Sequence, residues 1–398
     1  MNRGTRHTLA LLAGALVLLG VAGVAAQTTA ASQERASNHT VKVGIIYSRT
    51  GLLSAFGAQY IRGLKLGLQY LTKGTNRVNG HKIELTIVDD ATDAAKAVTA
   101  AKDLIGQGYK IIGGTTSSGN ALQVAPLAEQ NKVLYISGPA AVDAITGINK
   151  YTFRSGRQST QDVLAFRAIL GKDIGKKIVV FAQDTAFGQG NVAAVRTYLG
   201  GKGHTVSSIL VPGSATDFTP FAERAKAANA DLLYVAWAGT TGIALFRAFE
   251  QQRVAQSTKI ATGLAERALW GSYATGIDFL SHYVYNGPRK NKVNDWLVKT
   301  MQKRKQLPDI FTPDGFVAAQ MIVRAVQKGG GTDVDRMVAA LEGWQFLAPK
   351  GIQRIRPQDH AMVQPMFHVR LRTVNGKLVP QVLHRYSAGL IQPPVVGG

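Results

Sequence analysis

The sequence predicts an α/β protein made of two successive units, each a parallel sheet flanked by helices. Three observations predict it. Apolar strand patterns alternate with amphipathic helix patterns four times between residues 41 and 137, and such alternation specifies a parallel sheet covered on both faces. The alternation resumes after Tyr151 and runs to about Tyr285. The chain has 398 residues, 45% hydrophobic and 18% charged, so it is long and apolar enough for two cores and is not a disordered polymer.

In the first unit, residues 41–47 read as a buried strand. A loop with Gly51 and Gly57 leads to a helix over about 60–71, whose Ile61, Leu64, Leu68 and Leu71 share one face. Residues 82–89 are the second strand, and Asp90 or Asp93 caps the next helix, which runs to about Gly106. Strands follow at 110–113 and 133–137. In the second unit a short extended piece covers 151–154, and strands cover 177–183, 204–211 and 232–236. Helices lie between them at about 160–170, 188–199 and 218–228, the last capped by Asp217, and a further helix runs to about Gln252. Residues 259–262 and 283–285 are further short strands. From about Lys290 the pattern turns helical, over 293–304, 313–328 and 334–342. Pro313 suits a helix start, where its missing N–H costs nothing. Asn375-Gly376 between two alternating runs predicts a hairpin with a primed turn, and 392–398 are expected to fray.

The stretch Ile111-Ile-Gly-Gly-Thr-Thr-Ser-Ser-Gly-Asn-Ala-Leu-Gln-Val-Ala-Pro126 runs from strand to helix through small and hydroxyl residues. Thr116, Ser117 and Ser118 stand where an N-cap belongs. Free N–H groups and the positive end of the helix dipole suit a carboxylate there, and Gly113, Gly114 and Gly119 leave room for a ligand. A plain capped turn explains the same residues. In a parallel sheet, ligands bind beyond the carboxyl ends of the strands. The loops in that position are 48–59, 115–120 and 138–143 in the first unit, and 184–188, 237–241 and 263–267 in the second.

The N-terminus reads as an export signal: Arg3 and Arg6, an apolar core over 9–24, and small residues before Gln27. We expect a signal peptide over 1–26 and a flexible leader over 27–40. There is no cysteine, so the exported chain has no disulfide and no lipid-bearing cysteine. The formal net charge is +22, two fewer without Arg3 and Arg6. The basic residues are scattered, and the densest run, 299–305, reads as a solvated helix face, so no nucleic-acid partner is expected.

Enzyme motifs are missing. There is no G-x-S-x-G elbow, phosphate loop, H-E-x-x-H or dinucleotide G-x-G-x-x-G after the first strand. Asp89, Asp90 and Asp93 read as a strand end and helix cap rather than a cation site, and His360 beside Asp359 as a loop hydrogen-bonding residue. No catalytic residue, metal or cofactor is expected.

Several motifs in order carry a resemblance: Val43-Gly-Ile-Ile-Tyr-Ser-Arg-Thr-Gly51, Ala55-Phe-Gly57, Asp89-Asp90, the turn over 113–119, Ser137-Gly-Pro-Ala-Ala141, Phe153-Arg154, Gln183-Asp184-Thr-Ala-Phe-Gly188 and Asp217-Phe218. From about Val41 to Tyr386 the chain resembles the leucine/isoleucine/valine-binding family of ABC-transporter solute-binding proteins. The resemblance implies a type I periplasmic binding protein fold: two Rossmann-like lobes joined by a three-strand hinge, with a ligand closed between them. It implies discontinuous lobes, 41–155 with 287–365 and 156–286 with 366–390. It implies that Ser117, beside Thr116, holds a ligand carboxylate, that Ala140 offers backbone contacts, and that Phe56 and Phe187 flank the ligand where tyrosines are frequent. Val142 stands where branched-chain amino-acid binders have a threonine, the Trp237 loop differs from theirs, and Glu266 is the candidate for a ligand ammonium. Amino acids and aromatic or apolar carboxylates are both left open. The expected function is ligand capture for an ABC importer, by a monomeric periplasmic or secreted protein that delivers to membrane permeases. The alternatives are a sensory module of the same fold and an exported α/β hydrolase.

Overall fold

The computed structural model describes residues 1, 39–273 and 277–396. The expected signal peptide, and all of the leader but residues 39–40, lie outside the described residues apart from Met1.

The first sheet holds strands β1 (Thr40–Tyr47), β2 (Arg77–Val78), β3 (His81–Asp89), β4 (Ile111–Gly114), β5 (Leu134–Ser137) and β6 (Thr152–Arg154), in the order β2-β3-β1-β4-β5-β6. All neighbours are parallel except β2 with β3. Helices α1 (Ser54–Leu71), α2 (Ala94–Gly106) and α3 (Ser118–Asn131) make the crossovers. Strand order reverses between β1 and β4, so the loops after these two strands splay apart and leave a crevice.

The second sheet repeats this plan. Strands β7 (Lys177–Gln183), β8 (Thr205–Val211), β9 (Leu232–Ala236), β10 (Lys259–Gly263) and β11 (Asp278–Ser281) are parallel, and the order β8-β7-β9-β10-β11 reverses between β7 and β9. Helices α4 (Ser159–Leu170), α5 (Ala186–Tyr198), α6 (Thr219–Ala227), α7 (Gly242–Gln251) and α8 (Val254–Ser257) accompany them.

Beyond β11 the chain leaves this sheet. Helices α9 (Lys292–Gln302), α10 (Thr312–Gly329) and α11 (Val334–Leu341) precede a small antiparallel sheet of β12 (Gln345–Ala348), β13 (Gly351–Ile355) and β14 (Met362–Val363). Val317, Ile322, Val326, Met337, Ile355 and Met362 share one core with Val43, Ile45, Leu64 and Tyr135 of the first unit. Strands β15 (Met366–Val374) and β16 (Lys377–Tyr386) then add an antiparallel hairpin to β11. Its turn has φ of 48° at Asn375 and 71° at Gly376, as a type I′ turn requires.

Helix α10 reaches the first core because α1 carries glycine where the two helices touch. A Cβ on Gly63 would lie 1.8 Å from the Thr312 carbonyl oxygen, and one on Gly315 would lie 1.9 Å from that of Tyr60.

Three expectations need correction. Residues 283–285 are not a strand: the Ser281 hydroxyl donates to the Tyr283 carbonyl at 2.6 Å and accepts from the Tyr283 N–H at 3.2 Å, which turns the chain out of the sheet after β11. The small β12–β14 sheet escapes the sequence reading because its strands are only two to five residues long. Residues 393–396 do not fray, because buried Arg356 and Asp359 hold their backbone.

The chain passes between the two lobes over 155–158, 282–290 and 364–365. A buried ion pair, Asp314 with Lys350 at 2.6 Å, lies where these passages converge. Burial raises the Asp314 carboxyl and lowers the Lys350 ammonium, so each charge depends on the other. We predict that Lys350→Met, which strands the aspartate, lowers stability by about 3–5 kcal/mol, measured by urea unfolding. The double variant Asp314→Leu/Lys350→Met should recover most of that loss.

Candidate functional site

The loops at the two strand-order reversals face each other and enclose a cavity of about 290 Å³. The first lobe contributes the α3 turn. Ser117 is the N-cap of α3, its hydroxyl accepting from the Asn120 N–H at 3.5 Å. Thr116 accepts from the Ser48 N–H at 3.3 Å, tying this turn to the loop after β1 across the reversal. Asp90 stays buried, accepting from the Ser48 hydroxyl and the Asn120 amide, while Asp93 is the cap of α2. Gly114 is required where it stands: its φ is +100°, and a Cβ there would lie 2.1 Å from the Ile46 carbonyl oxygen.

The second lobe contributes aromatic side chains. Phe187, at the start of α5, lines the cavity and packs on the core behind it. Trp237 follows β9, donates from its indole N–H to Thr241 at 3.1 Å, and packs against Phe181 and Phe218. It is wall and core at once. The Gln183 side chain accepts from the Ala238 N–H at 3.0 Å and sets the loop's course.

The lobes touch around the cavity. The Thr240 N–H donates to the Leu52 carbonyl at 3.2 Å, and Ala238 packs on the cluster of Phe56, Ile310 and Phe311.

Of the expected site residues, Phe56, Thr116, Ser117, Phe187, Trp237 and Glu266 line the cavity. Ala140 and Val142 do not. The Ala140 carbonyl is taken by the buried Arg154 guanidinium at 2.8 Å, and Pro139 and Ala141 line the cavity instead. Val142 packs at the seam between lobes, where a Cβ on Gly190 would come 3.0 Å from it.

Sequence reasoning missed Arg157, Asp162, His282 and Phe311, which also line the cavity. Arg157 pairs with Asp162 at 3.2 Å, and its guanidinium lies 5.8 Å from the centre of the Phe311 ring. Burial raises the Asp162 carboxyl, and Arg157 offsets part of that. Burial keeps His282 neutral by holding its pKa well below the ordinary range. These residues sit on irregular passages between lobes or on helix starts, where periodicity is silent. His360, outside the cavity, bonds the Thr152 carbonyl at 2.9 Å and so has the loop role expected of it. No group of three or more histidines, aspartates or glutamates among the described residues is placed to hold a metal ion.

The match to known proteins follows the geometry. Residues 40–377 match the periplasmic binding protein family. The chain belongs to that family. It is similar to the Leu/Ile/Val-binding protein homolog 3 of Brucella melitensis, 25% identical over 306 residues, 75% of this chain and 82% of that one. A solved ABC-type branched-chain amino acid transporter protein from Rhodopseudomonas palustris CGA009 is 35% identical, with a TM-score of 0.74 over 89% of this chain and 99% of that one. A solute-binding protein of an ABC transporter from Rhodopseudomonas palustris BisB5, in complex with 3,4-dihydroxybenzoic acid, is 26% identical, with a TM-score of 0.78 over 88% of this chain and 98% of that one. This periplasmic binding protein is therefore an extracytoplasmic solute-binding protein of an ABC transporter that takes a small-molecule ligand and works with membrane permeases. It is not an enzyme, which sets aside the hydrolase alternative. Among the described residues no helix is long and apolar enough to cross a membrane.

Glu266 is 5% exposed and its Oε2 has no hydrogen-bond partner among the described residues. Burial pushes its carboxyl up to about 7, and its own backbone N–H offsets only part of that. The folded protein therefore holds a proton at Glu266 that the unfolded chain has released. Stability from this group is present below the ordinary range near 4.5 and is lost as pH rises to about 7. The loss amounts to about 3 kcal/mol. We predict that Glu266→Gln flattens this fall, measured as urea midpoints of both proteins at pH 5 and pH 8.

Proposed function

We propose that the cleft captures a small ligand with a carboxylate at one end and an apolar or aromatic body. The observation that carries this is the α3 turn: a capped helix N-terminus, with Thr116 and Ser117, opening into a cavity whose walls include Phe56, Phe187, Trp237 and Phe311. N–H groups there receive an anion, and the aromatic walls cover the body. Arg157 adds a cation already balanced by Asp162. The relative from strain BisB5 holds an aromatic acid, and the one from strain CGA009 is named for branched-chain amino acids. Glu266 separates these ligands. Its burial, and then the charge of Asp309, favour the neutral carboxyl, which suits a ligand hydroxyl; an ammonium requires the ionised form.

In this reading the lobes are 41–155 with 287–365 and 156–286 with 366–390. The protein acts as a monomer, exported by cleavage after Ala26 and carrying no lipid. Mass spectrometry of the exported protein should find Gln27 at or near its N-terminus, and an intact Met1 would refute the signal.

A thermal-shift screen of benzoate, 4-hydroxybenzoate, 3,4-dihydroxybenzoate, leucine, isoleucine and valine identifies the ligand class, because a ligand of the native state raises its melting temperature. Hydrogen bonds to a charged group are worth about 1.5–3 kcal/mol, so Ser117→Ala should weaken the best ligand about ten- to a hundredfold in calorimetry. Equal affinity of the variant, or equally tight binding of the uncharged amide of that ligand, would make this turn a helix cap only.

A further inference from the structure

The C-terminal segment runs from one lobe to the other. Strand β16 belongs to the second sheet, and Ile391 is fully buried in the second-lobe core that contains Met366 and Tyr386. Two residues later the chain lies on the first lobe. Arg356, which follows β13, donates from Nη1 to the Pro393 carbonyl at 2.5 Å and from Nη2 to the Pro394 carbonyl at 2.9 Å. The same guanidinium grips Asp359 through Nε at 2.8 Å and Nη2 at 2.6 Å. Asp359 in turn accepts from the Val396 N–H at 3.0 Å. Arg356 and Asp359 are each 2% exposed.

These anchors are rigidly part of the first lobe. Ile355 and Met362, on either side of them, sit in its core. His360 stacks on Phe153 of β6 with ring centres 3.8 Å apart. The Gly147 N–H donates to the Asp359 carbonyl at 2.8 Å, and Val396 covers Gly147, where a Cβ would come within 3.1 Å of it.

Only Gln392 lies between the buried anchor in the second lobe and the first gripped carbonyl in the other. Two chain steps reach at most about 7 Å, and Pro393 and Pro394 fix their own φ, which removes slack. Hydrogen bonds from a guanidinium are of the stronger, charge-assisted class. When the lobes rotate apart, either this link stays taut or an anchor breaks.

We infer that residues 391–396 form a fourth link between the lobes, a strap gripped by Arg356 that limits how far the cleft opens. The inference concerns the hinge and stands whatever the cleft binds.

The chain has no cysteine, so Lys102→Cys and Lys226→Cys place one spin label on an exposed helix position of each lobe. Double electron–electron resonance without added ligand then reads the interlobe distance distribution. The expected result is that a chain ending at Gln392, which keeps Ile391, shows a broader distribution shifted from that of the full chain. Arg356→Lys, which keeps a cation beside Asp359 but loses the fork, should shift it in the same sense by less. Should the shortened chain fail to fold, Arg356→Lys decides alone. A distribution of unchanged mean and width overturns the strap. So does a lowered melting temperature with an unchanged distribution, because the segment would then brace the first lobe only.

Discussion

The ion pair between Asp314 and Lys350 is the point on which the two-lobed arrangement turns. Both side chains are fully buried, so neither is tolerable without the other. All three passages between the sheets meet this pair. A Cβ on Gly156 in the first passage would lie 2.7 Å from the Asp314 carboxylate. His282 in the second approaches the same carboxylate at 3.8 Å. Gln364 in the third accepts from the Lys350 ammonium at 2.7 Å and donates to Gln161 of α4 at 3.4 Å. Charge that cannot reach water thus fixes where the chain changes lobes, and His282 carries that constraint to the cavity wall.

The cavity follows from topology. Each parallel sheet has one reversal of strand order, and the crevice at each reversal lies beyond the strand ends. Facing the two crevices places a hydroxyl-lined helix N-terminus opposite an aromatic wall. The helix packing serves the same end. With glycine at 63 and 315, α10 lies close enough to α1 for Phe311, just ahead of α10, to meet Phe56 at 4.6 Å between ring centres. A change in backbone spacing far from the cavity is thereby transmitted to its lining.

The electrostatics of the cavity are lopsided. On one side the N-terminus of α3, capped by Ser117, borders the cavity with its hydroxyl residues. On the other, Glu266 is buried with one oxygen unpartnered among the described residues. Between them Arg157 and Asp162 cancel each other. The two ends of the cavity thus differ in polarity, with a compensated ion pair between them.

Much of the plan was legible in the sequence, because local rules write it. Alternation of strand and helix periods marked both sheets, Asn375-Gly376 marked the hairpin, and the hydroxyl run at 116–118 marked the cap of α3. Ordered motifs such as Phe153-Arg154 pointed to the family. Among the residues that line the cavity, Phe56, Thr116, Ser117, Phe187, Trp237 and Glu266 were visible because they lie in the segments after strands. Tertiary structure decided the rest. Arg157, Asp162 and His282 became cavity residues only when separate passages converged, and nothing in their local sequence encodes that meeting. The turning away of Ala140 was decided by Arg154, and the docking of the C-terminal segment by Arg356. Local sequence sets which backbone shapes are cheap; which buried charges and free carbonyls find one another depends on contacts between residues far apart in the chain.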